Sequence, residues 1–272
     1  MAGKSSSGSA GERVARLDGS RRVRAPHHGG GSRVFWVAGV DGCRGGWFVV
    51  LLSRGLASPV LQGARFALCR SFSEVMSLPE RPALIAVDIP IGLLDRAEPG
   101  GRSCDRNARI LLGRARASSV FTPPIRAALE ARAYREAMRL NGAGMGKQAF
   151  NIMEKIREVD EIMEPGSQDR VFEAHPELAF IGLAGRPMRH NKKTPAGWQE
   201  RRRLVAPCYG AHFIEPKELQ NRFERSQLAT DDVLDAYALA LTAERIEAGS
   251  AVRLPQSDPE RDAKGLRMEI WY

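Results

Sequence analysis

Val34-Phe35-Trp36-Val37-Ala38-Gly39-Val40-Asp41 is an apolar run that closes on an acid, and the fold is read outward from it. Its length and β-branched content are those of a buried strand. Ala83-Leu84-Ile85-Ala86-Val87-Asp88 repeats the pattern. A carboxylate just past a buried strand stands at the rim of a sheet, where α/β proteins place their chemistry.

Between the two runs, Gly42-Cys43-Arg44-Gly45-Gly46 reads as a tight, backbone-accessible turn. Trp47 to Leu52 and Val60 to Leu68 read as second and third strands. Connections this short imply an antiparallel meander. Ser73 to Leu78 is expected to form a short helix capped by Ser73. The strand ending at Asp88 follows, and Pro90 stops it, because proline cannot donate to a ladder.

Residues 95–170 read as a helical insertion, broken at Gly100-Gly101, Thr122-Pro123-Pro124 and Asn141 to Gly144. Phe150, Met153, Ile156, Val159, Ile162 and Met163 mark one face of a helix after Lys147. Val171-Phe172-Glu173-Ala174-His175 is a short strand that Pro176 ends. Asp231 to Glu247 is a helix whose Ala236, Ala238, Ala240 and Ala243 suit close packing on a sheet.

The chain has 272 residues, 43% of them hydrophobic, which is enough for a sizeable core in one large domain. We assign residues 33–272 to that domain. Residues 1–32, rich in Ser, Gly and Arg, have the composition of a flexible basic tail. The net charge is +9, but residues 1–33 hold seven Lys/Arg against Glu12 and Asp18. That segment carries +5 and leaves only +4 elsewhere. The basic balance suits a polyanionic partner without establishing one. No stretch approaches a membrane-spanning length. The cysteines, Cys43, Cys69, Cys104 and Cys208, form no zinc spacing, and a reduced, cytoplasmic setting is the expectation. Cys43 reads as a packed small residue rather than a nucleophile.

Hard divalent cations take oxygen ligands, and carboxylates from separate elements supply them. Asp41, Asp88, Glu173, Asp232 and Asp235 are the candidate metal ligands. Each has a plainer reading. A strand-end aspartate often only caps a turn, and acids in a first helical turn suit the helix dipole. Asp235 is harder to dismiss, because aspartate is a poor helix former and this one precedes a packing stretch. Arg102, Arg106 and Arg109 fall at helical spacing. A solvated face is their default, but beside a metal site Arg106 and Arg109 become candidates for phosphate contact. Lys192, Lys193 and Arg201 to Arg203 form a weaker basic patch. His175 reads as a structural histidine. Gly142 to Gln148 fails as a phosphate loop, since Asn141 and Gln148 stand where glycine and Ser/Thr are needed.

Six ordered segments resemble domain-of-unknown-function family 429, described as predicted nucleases with a ribonuclease-H-like fold. They are Gly39 to Trp47, Val87 to Leu93, Arg102 to Asp105 with Arg109, Ser118 to Phe121, Glu173 to Glu177, and Asp231 to Ala236. The resemblance spans about residues 34–270. It implies an α/β fold with a ribonuclease-H-like mixed sheet, three antiparallel strands and then parallel ones, and helices on both faces. In that arrangement the first strand supplies one acid, the fourth another, and a late helix one or two more. The last helix also looks like that of Holliday-junction resolvases, with paired aspartates before an alanine-rich run.

The resulting expectation is a metal-dependent phosphodiesterase acting on nucleic acid, DNA or RNA undecided. Asp41, Asp88 and Asp235 would be catalytic and would hold two Mg²⁺ or Mn²⁺ ions, with Asp232 or Glu173 as the variable ligand. Arg106 and Arg109 would hold the phosphate. The alternatives are an actin-like nucleotide-binding protein and a catalytically silent scaffold.

Overall fold

The structure, a computed structural model, describes residues 34–55 and 58–272. The tail expected over residues 1–32 lies outside the described residues. Strand β1 (Val34–Cys43) turns at Arg44-Gly45 into β2 (Gly46–Gly55), and β3 (Ser58–Cys69) completes the antiparallel meander. Helix α1 (Phe72–Met76) leads into β4 (Leu84–Val87). Its cap is Ser71, not Ser73: the Ser71 side chain accepts from the Glu74 amide at 3.4 Å. The helix starts one residue earlier than its sequence suggests because Phe72 is pulled into the core.

Between β4 and β5 the chain forms α2 (Ser103–Leu112), α3 (Tyr134–Asn141), α4 (Lys147–Asn151) and α5 (Met153–Ile162). The single helix expected after Lys147 is thus two, interrupted at Ile152. Strand β5 (Val171–Glu173) is followed by α6 (Pro176–Ala184), α7 (Pro195–Tyr209), α8 (Pro216–Arg222) and α9 (Thr230–Glu247). A small ribbon, β6 (Arg253–Leu254) with β7 (Ile270–Trp271), ends the chain.

The main sheet has the order β3-β2-β1-β4-β5. β1 pairs antiparallel with β2 and parallel with β4, and β4 pairs parallel with β5. This mixed α/β sheet with helices around it is consistent with a ribonuclease-H-like arrangement. Strand residues alternate between the faces. Ala38, Val40, Ile85, Val87 and Val171 pack under α1 and α5. Val37, Ala86, Val50 and Leu52 pack under α6, α7 and α9. The second face is closed most tightly where α9 crosses β1. A Cβ placed on Gly39 would lie 2.3 Å from the Ala236 carbonyl oxygen and 2.0 Å from the Ala240 nitrogen. Only glycine on the strand and small residues on the helix permit this approach. Among the described residues no helix is long and apolar enough to cross a membrane.

Candidate active site

Two alternations bring the aspartates together. Asp41 has the parity of Gly39, so its side chain leaves β1 on the α9 face. Asp88 follows β4 with the parity of Ala86, on the same face, and its amide continues the ladder by donating to the Val40 carbonyl at 3.0 Å. The parallel pairing Val40↔Val87 sets the two acids at the same edge. Helix α9 starts there and presents Asp232 and Asp235, one turn apart. Asp41 and Asp235 are buried, at 6% and 2% exposure.

The electrostatics report this convergence. Burial raises the Asp41 carboxyl well above its ordinary range, and Asp88, Asp235 and Asp232 each push it further. Burial and then Asp235 lift Asp88 to about 7. Burial lifts Asp232 to about 6, opposed by the Ala229 amide that it caps at 3.1 Å. The charge answering these acids is Lys192, on the loop between α6 and α7. Its ammonium lies 2.6 Å from Asp235 Oδ2 and 3.8 Å from Asp231 Oδ2. Asp235 above all raises the Lys192 pKa, so the ammonium stays charged. Burial would raise Asp231, but the charges of Lys193 and Lys192 more than offset it.

A cleft of about 270 Å³ opens beside this cluster, lined by Asp88, Lys192, Lys193, Arg116, His175 and Glu177 among others. Arg116, on the wall of the cleft, donates through Nε to the Met188 carbonyl at 3.1 Å. Glu177 is 7% exposed, ion-paired to the buried Arg201 through one oxygen, while its Oε2 has no partner. His175 accepts from the Glu177 amide through Nδ1 at 3.2 Å and donates through Nε2 to the Ser119 carbonyl at 3.3 Å. Burial lowers its pKa. A neutral, doubly bonded His175 that caps α6 is a structural histidine.

Several candidate residues stand elsewhere. Glu173 is not among the clustered aspartates. It has the parity of Val171, so it leaves β5 on the opposite face from Asp88. There Arg102, at 1% exposure, grips it at 2.5 and 2.7 Å, and the Ile91 amide donates to it at 2.7 Å. Arg102 also holds Asp105 at 2.7 and 3.1 Å and the carbonyls of Ile91 and Gly92. Burial alone would lower the Arg102 pKa, but Asp105 and Glu173 raise it well above its ordinary value. Glu173 therefore anchors the loop after Asp88 through a buried ion network.

Arg106 and Arg109 also serve the scaffold. Arg109 donates to the carbonyls of Val120 at 2.8 Å and Gly100 at 2.6 Å and to Thr122 Oγ1 at 3.1 Å. Arg106 bonds the Gly101 carbonyl and reaches Glu98 at 3.5 Å. The cations beside the aspartates are instead Lys192, Lys193 and Arg116. The turn after β1 is likewise not an open anion cradle. The Gly45 amide donates to the Gln227 carbonyl at 2.9 Å, and a Cβ on Gly46 would meet the Cys69 carbonyl oxygen at 2.1 Å. These glycines answer to close packing. Burial pushes the Cys43 thiol up to about 11, so it is no thiolate at neutral pH.

The donor set, carboxylate oxygens with burial and mutual repulsion, has the chemistry a hard divalent cation requires. Among the described residues no three acid, His or Cys side chains stand close enough to form a ready metal-holding group. As the side chains stand, the positive charge among them is the Lys192 ammonium. Arg116 stood in the sequence only as the last member of the basic segment Arg102, Arg106, Arg109, Arg114 and Arg116, and Glu177 only as an acid in the first turn of a helix opened by His175-Pro176.

No curated protein and no solved structure gives a match to the chain. The sequence profile of a family described as protein of unknown function, DUF429, matches residues 39–260, from the glycine under α9 to the segment before β7. That match takes in the strands, the helix and the loop that carry Asp41, Asp88, Asp235 and Lys192. The chain belongs to the DUF429 family.

Proposed function

We propose that the chain is a divalent-metal-dependent hydrolase of phosphodiester bonds in nucleic acid. One observation carries the reading: Asp41 is buried at the sheet edge facing Asp88, Asp232 and Asp235, a concentration of negative charge that folding alone does not favour. Asp41, Asp88 and Asp235 are the residues that would hold Mg²⁺ or Mn²⁺, with Asp232 one turn before Asp235 on α9 as a further carboxylate, and Glu177, which keeps one oxygen without a partner, among the residues lining the cleft beside Asp88. A bound divalent cation supplies charge for the phosphate oxygens and an activated water. Arg116 and Lys193 line the approach and favour an anionic substrate. Lys192, ion-paired to Asp235, offsets part of the negative charge that the cluster carries without a cation. The free thiols of Cys43, Cys69, Cys104 and Cys208 suit a reducing, cytoplasmic setting.

The nucleotide-binding reading requires free backbone amides in the first turn, and the Gly45 amide is spent on Gln227. The test is cleavage of single-stranded, duplex and branched nucleic acid by purified protein with Mn²⁺. We expect Asp41→Asn and Asp88→Asn each to lose most activity, and Ca²⁺ to support it poorly because its coordination is looser. Cleavage that persists undiminished in the Asp41→Asn, Asp88→Asn double variant belongs to a contaminant and removes the proposal.

A further inference from the structure

A second cleft, of about 610 Å³, opens at the β1–β2 turn. Its walls include Arg44 from the turn, Arg70 just past β3, and Arg222, Phe223 and Gln227 from the end of α8 and the loop after it. These parts are fixed to one another. Trp47 pairs with Cys69, and a Cβ on Gly46 would lie 2.9 Å from the Arg70 Cα, so the Arg44 turn and Arg70 are immediate neighbours. The Gly45 amide bonds the Gln227 carbonyl and ties the turn to the far wall. Phe223 stands edge-on to the buried Phe48, with ring centroids 5.7 Å apart at 74°, which holds its ring in place.

The charge is unbalanced. Arg44 and Arg70 are exposed, and neither side chain has a carboxylate partner among the described residues. Arg222 is bonded to Glu218 at 2.6 Å. Glu224 is the acid on the wall, and Gln227 Nε2 donates to it at 2.9 Å. Arg44 follows Asp41 by three residues, so their Cα atoms are at most about 11 Å apart. The arginine cleft and the carboxylate site are therefore two stations along the end of one strand. Paired guanidinium groups bind phosphate oxygens bidentately, and a fixed ring beside them offers a surface for a base.

We propose that this cleft is a binding subsite for a single nucleic-acid strand, with Arg44 and Arg70 on its phosphates and Phe223 against a base. The proposal rests on the carboxylate site being the centre that acts on that strand.

The experiment is fluorescence anisotropy of a labelled single-stranded DNA of mixed sequence, in EDTA, over a salt series. Binding without metal separates the cleft from the reaction. The Arg44→Ala, Arg70→Ala double variant should bind about tenfold more weakly at low salt, and its salt slope should fall by about 1.4, the value for two lost phosphate contacts on a single strand. Its melting temperature should match the parent, because both side chains are exposed. Arg135→Ala, which removes an exposed charge on α3, should bind as the parent does. Phe223→Leu should weaken binding with the salt slope unchanged, the mark of a stacking contact. Parent-like binding by the double variant overturns the proposal, and so does an equal loss in Arg135→Ala, which would mean diffuse attraction. If binding falls as expected but no preparation cleaves any substrate, the hydrolase reading fails and the subsite stands.

Discussion

The Lys192 ammonium sits 2.6 Å from Asp235 Oδ2 and faces Asp41, so the loop between α6 and α7 supplies the counter-charge for acids on β1 and α9. Lys192→Gln should unfold slightly more easily, by no more than about 1 kcal/mol, because its side chain is 36% exposed and solvent screens the pair. The same change should tighten Mn²⁺ binding measured by calorimetry, since an ammonium no longer competes for Asp235. Weaker binding would mean that Lys192 supports the cation site rather than competing with the cation.

The raised carboxyls give stability a pH dependence of fixed sign. A folded chain that keeps Asp88 protonated up to about 7 and Asp232 up to about 6 holds protons that the unfolded chain has released. That contribution is complete below about pH 4 and is lost as the pH rises through 6 to 7. Asp41 adds in the same direction. The melting temperature in chelator should therefore fall between about pH 4 and 7. Asp88→Asn, which removes one charge from the cluster, should flatten that fall and raise the melting point at the alkaline end by about 2–4 °C, while losing cleavage. A variant less stable than the parent at that pH would contradict the repulsion.

Arg102 should be among the most sensitive structural positions. Arg102→Met leaves Glu173 and Asp105 buried without a partner, at a cost of about 3–5 kcal/mol in urea unfolding. Arg102→Lys should rescue little, because one ammonium cannot serve two carboxylates and two carbonyls arranged for a guanidinium fork. Full stability in either variant would show that the network is not needed to hold the loop after Asp88.

Arg109 and Arg116 should separate cleanly. Arg109→Ala removes three bonds to Gly100, Val120 and Thr122 and should lower the melting temperature while leaving nucleic-acid affinity unchanged. Arg116→Ala should raise KM about tenfold with little change in melting, as expected for one lost phosphate contact. The opposite pattern would return Arg109 to the substrate.

Continuous apolar, β-branched runs and strand-end acids made β1, β2, β4 and the edge position of Asp41 and Asp88 legible in the sequence, because strands buried on both faces must be apolar and their ends polar. The alanine run after Asp235 similarly marked α9 as the helix that lies close on the sheet, and Gly39 is its counterpart on β1. Helical spacing could not say which neighbour a side chain meets. Arg106 and Arg109 share a face, but that face turns to the loops at Gly100 and Val120, where unpaired carbonyls take the guanidinium donors. Glu173 differs from Asp88 only in strand parity, and the register of β5 against β4 puts it on the other side of the sheet, in the grip of Arg102. Lys192 stood out in the sequence only as one of several basic residues, and Glu177 only as an acid in a first helical turn; nothing local tied either to the aspartates. Lys192 meets Asp235, and Glu177 shares a cleft wall with Asp88, because α6, α7 and α9 pack on one face, and distance through space, unlike distance along the chain, is fixed only when that packing is complete.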